Sequence, residues 1–241
     1  MNLQRRISRV QKNTRCRDCA VKDHSALKNC PAECLEIISS SKKVIGYLKG
    51  RRIVMEGTVS SYIYFVKSGK IKIYSSDEKG REMIIRFAKS GDVIGFEDVE
   101  KNSEYTLSAM AIDDTVLCCM DYNAFHQLIR HYPELSLGLL KYYKEELQNA
   151  IIKSTKLARL NVPGKVAYAL LIMQQAYGSD EKDNTLNLTL SRKDIANLAF
   201  TTKEQVSKTF SAFRQQGIIK ITGNKQITLV NTDALHSLAQ M

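Results

Sequence analysis

At 241 residues the chain is long enough for two ordinary domains with separate cores. Its 44% hydrophobic and 25% charged residues are those of a folded protein, and without a run of about 18 apolar residues nothing in it is expected to span a membrane. The net charge of +11 is segregated: residues 1–22 carry seven bases against one acid and residues 156–241 eleven against six, while residues 23–155 balance at 18 each, so the basic ends point to polyanions.

The first 22 residues are polar and basic, and are expected to be mobile apart from the Cys16-x-x-Cys19 pair. They lack the apolar stretch of a secretory signal, which predicts a cytoplasmic protein. There, six cysteines serve as reduced thiols, metal ligands or redox groups, not as structural disulfides. A short helix is expected from Cys30-Pro31 to Ile38, with Pro31 in its first turn. Over 44–122 the period changes to short β-branched and aromatic runs punctuated by glycines, the pattern of an all-β barrel or double-sheet roll. Ser76–Gly80 reads as a hairpin turn. Such a roll can hold a ligand or be a packed scaffold; its pattern does not say which.

Helical period returns at Asn123–His131, and Pro133 opens a longer helix to about Ala158. On it Leu140, Tyr143, Leu147, Ala150 and Ile151 form an apolar stripe, which packs on the roll or, by our preference, on the same helix of a second copy. Arg159–Gly164 is the expected boundary, with Pro163 and Gly164 breaking the helix; an amphipathic helix follows over Lys165–Tyr177, then a solvated loop and a strand over Leu186–Leu190. Ser191 is an N-cap with Asp194 three residues on, and Ile195, Leu198 and Ala199 make the inner stripe of a short helix. After Phe200-Thr201-Thr202 a second helix turns Val206, Phe210 and Phe213 inward until Gly217. Its outer side carries Thr202, Lys203, Gln205, Ser207 and Lys208, donors suited to a major groove, so the pair reads as a helix-turn-helix. The hairpin Ile218–Ile221 and Gln226–Val230 adds a wing with Lys225 at its tip, and Thr232–Ala239 closes the chain as a helix. His24, His126, His131 and His236 have no acid or nucleophile at catalytic spacing, so no enzyme is expected.

This order of parts resembles the Crp/Fnr family of bacterial transcription regulators from about residue 27 on. In the roll the likeness rests on Lys49–Gly57, Tyr64–Lys72 and Ser90–Phe96, and in the C-terminal part on Ile195–Leu198 and Thr202–Phe210. The resemblance implies an α+β fold: a cyclic-nucleotide-binding-like β-roll (a double-stranded β-helix), a long dimerisation helix, and a C-terminal winged helix-turn-helix. The corresponding spans are a basic arm at 1–26, the roll at 27–132, the dimer helix and linker at 133–160, and the DNA-binding domain at 161–241. It further implies a homodimer on a palindromic site in double-stranded DNA, with RNA polymerase as a partner. Glu204, Ser207 and Lys208 fall at the base-reading positions: Glu204 accepts from a cytosine amino group and Lys208 donates to guanine. Arg192, Thr202, Lys203 and Lys225 complete the expected DNA-binding set. Phe200 stands where the family usually has a turn glycine.

Cyclic-nucleotide binders of the family need an arginine for the cyclic phosphate, but the matching stretch Lys101–Ala109 has none and contains Glu104, which argues against cyclic AMP. The cysteines resemble those of the Fnr-like branch, whose [4Fe–4S] cluster takes three N-terminal thiolates and one from the roll. On that pattern Cys16, Cys19, Cys30 and Cys118 are the ligands, with Cys34 in competition with Cys30. Four thiols also suit zinc, a pair can oxidise without metal, and Cys30, Cys118 and Cys119 can equally be small core residues. The expected signal is redox, a gas or a small molecule. A second reading keeps the fold but has it act as a ligand-binding module on protein partners; weak, sequence-blind DNA binding without a salt slope would favour it.

Overall fold

The structure, a computed structural model, describes residues 14–96, 103–223 and 226–240. Its contacts divide the chain into two units, Met1–Gly80 with Arg86–Leu147 and Arg81–Ile85 with Gln148–Met241. Helix α1 (Ala32–Ser41) precedes strands β1 (Lys43–Tyr47), β2 (Arg52–Val54), β3 (Tyr62–Ser68), β4 (Ile71–Ser76), β5 (Glu82–Ala88), β6 (Val93–Ile94), β7 (Ser108–Ala111) and β8 (Thr115–Asp121), all in the first unit except the start of β5 up to Ile85, which belongs to the second. They form two four-stranded sheets, in the orders β1-β8-β3-β6 and β2-β7-β4-β5. Tyr105 bonds back to Thr58 and Gly57, and strand β7 begins at Ser108.

The first sheet carries a core on each face, because alternate residues of a strand point opposite ways. Tyr64, Val66, Leu117 and Cys119 enter the roll's interior beside Tyr105, while Ile63, Phe65 and Met120 face a second core with Leu35 and Ile38 of α1. Cys118, paired with Phe65 and Val44, joins the second.

Helix α2 (Tyr122–His131) starts on Asp121, whose carboxylate accepts from the amides of Asn123 and Ala124. Helix α3 (Pro133–Arg159) follows, burying Leu135 and Leu139 in the second core. The N-terminal stretch from Thr14 is not the mobile arm expected of it. Cys16 and Leu27 are core residues, two short 3₁₀ turns (Cys16–Asp18 and Lys22–His24) carry the chain, and the Cys16 amide donates to Ser39 Oγ at 2.8 Å. Two glycines admit it. A Cβ at Gly138 would run into the Ala26 carbonyl, and Gly91, at φ +97°, has the His24 carbonyl 2.5 Å from where its Cβ would lie. Residues 1–13, with most of the basic arm's charge, lie outside the described residues.

In the second unit α4 (Val162–Tyr177) is capped by Asn161, whose side chain accepts from the Gly164 amide. Pro163 and Gly164 therefore sit in the first turn of α4, not in a break, because a proline there lacks only an amide that has no helical partner. Helices α5 (Arg192–Ala199) and α6 (Lys203–Gln215) follow, then strands β9 (Ile219–Thr222) and β10 (Gln226–Leu229) as a hairpin, and α7 (Thr232–Leu238). Leu186–Leu190 does not form the expected strand. Thr185 and Leu186 make isolated bridges, and Leu188 and Leu190 are spent on the core instead. No helix among the described residues is long and apolar enough to cross a membrane.

Candidate nucleic-acid interface and thiol site

Two helices and the turn between them build the first site. Ser191 Oγ accepts from the Asp194 amide at 3.0 Å and donates to its carboxylate at 2.6 Å, the reciprocal cap that its sequence predicts. Helix α5 ends at Phe200, which takes the left-handed conformation at φ 50° that a glycine adopts without strain. The Thr201 amide then bonds Ala196 O at 3.1 Å, and Thr202 caps α6 by accepting from the Gln205 amide at 3.3 Å. Val206, Phe210 and Phe213 of α6 are buried, as are Ile195 and Leu198 of the α5 helix it packs on, so α6 has one rotational setting.

That setting turns Lys203, Glu204, Ser207 and Lys208 out to solvent together, with Thr202 at the helix start. The Glu204 carboxyl is held below its ordinary pKa, first by its own backbone amide and then by Thr202 and Lys203. It is thus an ionised acceptor at neutral pH. Ser207 Oγ donates to Lys203 O at 2.9 Å and keeps its lone pairs for a partner. Ser211, one turn further on and equally exposed, extends the same face; helical spacing from Ser207 marks it. Arg192 is placed differently. Its guanidinium lies 4.1 Å from the Phe210 ring centroid, locking α5 to α6, and Nη1 is buried without a hydrogen-bond partner among the described residues. Burial, then Arg214, pushes its pKa down. Lys225 falls outside the described residues.

The second site lies under α1. Cys16, Cys19 and Cys118 line one small cavity of about 40 Å³ together with Lys22, Lys42 and Lys67. The Lys42 ammonium, itself buried, donates to Cys16 Sγ at 3.1 Å and to Thr14 O at 2.7 Å. Burial pushes the Cys118 thiol up, with Cys16 and Cys19 adding to the rise while Lys42 and Lys67 oppose it. Cys30 and Cys34 are in the adjoining core and bond to each other; Cys30, the donor, is raised by that bond and by burial. Cys119 faces the roll's interior. Three of the four sulfurs singled out in the sequence therefore share a pocket, and the fourth stands one layer away, engaged with Cys34. Among the described residues no three metal-ligating side chains are arranged to hold a metal ion, and Cys30 is engaged with Cys34; what the pocket shows is three thiols beside lysines that offset the charge of thiolates. The lysines were not legible beforehand, since Lys42 and Lys67 come from distant elements. Along α3, Leu140, Leu147 and Ile151 are exposed at 67%, 62% and 57%. Ala150 is exposed as well, whereas Tyr143 is half-buried against Phe96, ring centroids 5.0 Å apart.

Residues 44–132 match the cyclic nucleotide-binding domain family and residues 164–238 the Crp-like helix-turn-helix domain family. Electron transport regulator A of Shewanella oneidensis is 28% identical over 206 residues, 85% of this chain and 81% of that protein. The fumarate and nitrate reduction regulatory protein of Escherichia coli (strain K12) is 26% identical over 228 residues, 93% of this chain and 90% of its own length. Among solved structures, FixK2 from Bradyrhizobium japonicum superposes with a TM-score of 0.71 at 28% identity, covering 82% of this chain and 96% of that one. TTHA1359 from Thermus thermophilus, a transcriptional regulator, shares the fold at a TM-score of 0.71 and 22% identity, covering 83% of this chain and 99% of its own.

Proposed function

The chain belongs to the Crp/Fnr family of transcription regulators, a DNA-binding protein and not an enzyme, and from that premise we propose that it is a homodimer whose DNA binding follows the state of its buried thiols. The observation that carries the proposal is the shared pocket of Cys16, Cys19 and Cys118. It ties the N-terminal segment to α1 and to the central strand β8, so a change at the sulfurs is felt by the core on which α3 begins. Cys16, Cys19 and Cys118 would hold an iron–sulfur group, with Cys30 or Cys34 as the fourth ligand. Bound there, it would supply one-electron and oxygen chemistry at the protein's edge. The protein's own part is to exclude water with Phe65 and Leu27, and to place Lys42, Lys22 and Lys67 against the negative charge of the thiolates.

The exposed stripe Leu140, Leu147 and Ile151, with Ala150 beside it, is the surface we assign to the second copy; Leu137, exposed at 64%, extends it. Two α6 helices related by a dyad then meet successive major grooves of a palindromic site. There Lys203 and Thr202 take phosphate, Glu204, Ser207 and Lys208 read base edges, and RNA polymerase is recruited beside them. Glu204 accepts from cytosine, and Lys208, a point charge without the arginine fork, donates to guanine. Arg192 serves by holding α5 on α6, and Lys225 by contacting phosphate from the wing. The signal is not cyclic AMP in this reading: no arginine lies in Ser103–Ala109, Glu104 stands there, and the interior is filled by Tyr47, Tyr64 and Tyr105.

Anaerobic purification tests the sensor. A brown protein with equal iron and acid-labile sulfide, lost in Cys16→Ser and in Cys118→Ser, is expected; a colourless protein binding neither refutes it. Lys203→Glu with Lys208→Glu tests the reader and is expected to abolish operator binding at fixed salt.

A further inference from the structure

A half-buried lysine in the C-terminal unit has no carboxylate beside it among the described residues. Lys153, on α3, donates from Nζ to Ile84 O at 2.7 Å and Ile85 O at 2.8 Å, and its ammonium stands 5.5 Å from the Phe200 ring centroid. Its third proton has no partner among the described residues. Burial alone brings its pKa down from 10.5 to about 8, with no carboxylate contributing, so it is still charged at neutral pH. A cation taken out of water without a counter-ion is costly, and proteins retain one where something is bound or moved. Here it lines an open cavity of about 490 Å³, a size that suits a small ligand. Met83, Ile85, Leu157 and Phe200 give apolar walls, and Ser154 is the one other polar side chain among the lining residues.

We propose that this cavity is an effector site for a small monocarboxylic acid with an apolar body, its carboxylate on Lys153 and Ser154 and its body against Met83, Ile85 and Phe200. One cation and one hydroxyl satisfy a singly charged acid, whereas a phosphate or a cyclic nucleotide would leave oxygens unpaired on apolar walls. The occupant would touch Phe200, the left-handed residue that joins α5 to α6, so binding bears directly on the turn that sets the recognition helix. The site is independent of the cysteines, and its failure leaves the thiol reading standing.

Calorimetric titration of the purified full-length protein with octanoate, and with 1-octanol as the uncharged probe of equal length, tests it. Saturable octanoate binding is expected, at least tenfold tighter than octanol, weakened tenfold or more by Lys153→Met and largely retained by Lys153→Arg. Ala158→Phe, which fills the groove from its rim and keeps the lysine, is expected to block octanoate as well, and serves if Lys153→Met does not fold. Equal binding of octanoate and octanol, octanoate binding unchanged in Lys153→Met or in Ala158→Phe, or no saturable binding because a second copy occupies the groove, would each overturn the proposal.

Discussion

The pH dependence of stability around Lys153 has a definite sign. Its pKa falls from 10.5 unfolded to about 8 folded, so between those values the folded chain binds fewer protons than the unfolded one. The cost of burying the charge is fully present below pH 8 and is relieved as pH rises toward 10.5. Cysteines such as Cys118, raised by burial, act oppositely above pH 9, so the comparison must be a difference. Measured by denaturant unfolding, wild type should gain on Lys153→Met by up to about 3 kcal/mol between pH 8 and 10.5. Parallel curves would show the ammonium to be solvated. Neighbouring sulfurs make a second contrast. Cys118→Ser should abolish iron binding with little loss of stability. Cys119→Ser, in the roll's interior, should cost about 1–2 kcal/mol and leave iron binding intact.

Among the elements, α3 shows local preference losing to packing. Glycine inside a helix costs about 1 kcal/mol against alanine, so Gly138→Ala should stabilise an isolated helix. In the protein the new methyl meets the Ala26 carbonyl, a backbone atom that moves only with its segment, and overpacking of this kind costs about 1–3 kcal/mol. The expected result is net destabilisation together with faster labelling of Cys16 by a thiol reagent; unchanged labelling would show that the N-terminal segment does not depend on this contact. Helix α6 offers the reverse case, in which local chemistry suffices. Thr202→Ala removes the N-cap and should cost about 1 kcal/mol, with operator affinity reduced because the helix start frays.

For the whole molecule the decisive surface is the exposed stripe on α3. Leu140→Lys with Leu147→Lys places like charges at the proposed seam, and should give a monomer by sedimentation and a large loss of operator affinity without loss of fold. A folded dimer would move the interface elsewhere. The helix-turn-helix was legible because caps, apolar stripe and outward face all lie within one stretch of chain, Ser191–Gly217. The Phe200 turn held its shape despite the missing glycine because Val206, Phe210 and Phe213 over-determine the angle between the helices. The strand expected at Leu186–Leu190 failed for the converse reason: alternation marks a strand only when an edge is there to pair with it, and only the bridges of Thr185 and Leu186 found one.

By itself the sequence determined the helices of the C-terminal part and the glycine-punctuated strands of the roll, though not the state of Leu186–Leu190, together with the polar outer face of α6, the segregated charge and the stock of thiols, since each follows from local periodicity, caps or composition. Only the tertiary structure decided which sulfurs meet. The register of β8 between β1 and β3 sends Cys118 toward Cys16 and Cys19 and turns Cys119 away, a choice of strand face that adjacent cysteines cannot announce. It also decided that Lys42 reaches Cys16 and that Lys153 is half-buried on two backbone carbonyls with no carboxylate beside it among the described residues, because burial and charge pairing are set by segments far apart in the chain and brought together by packing.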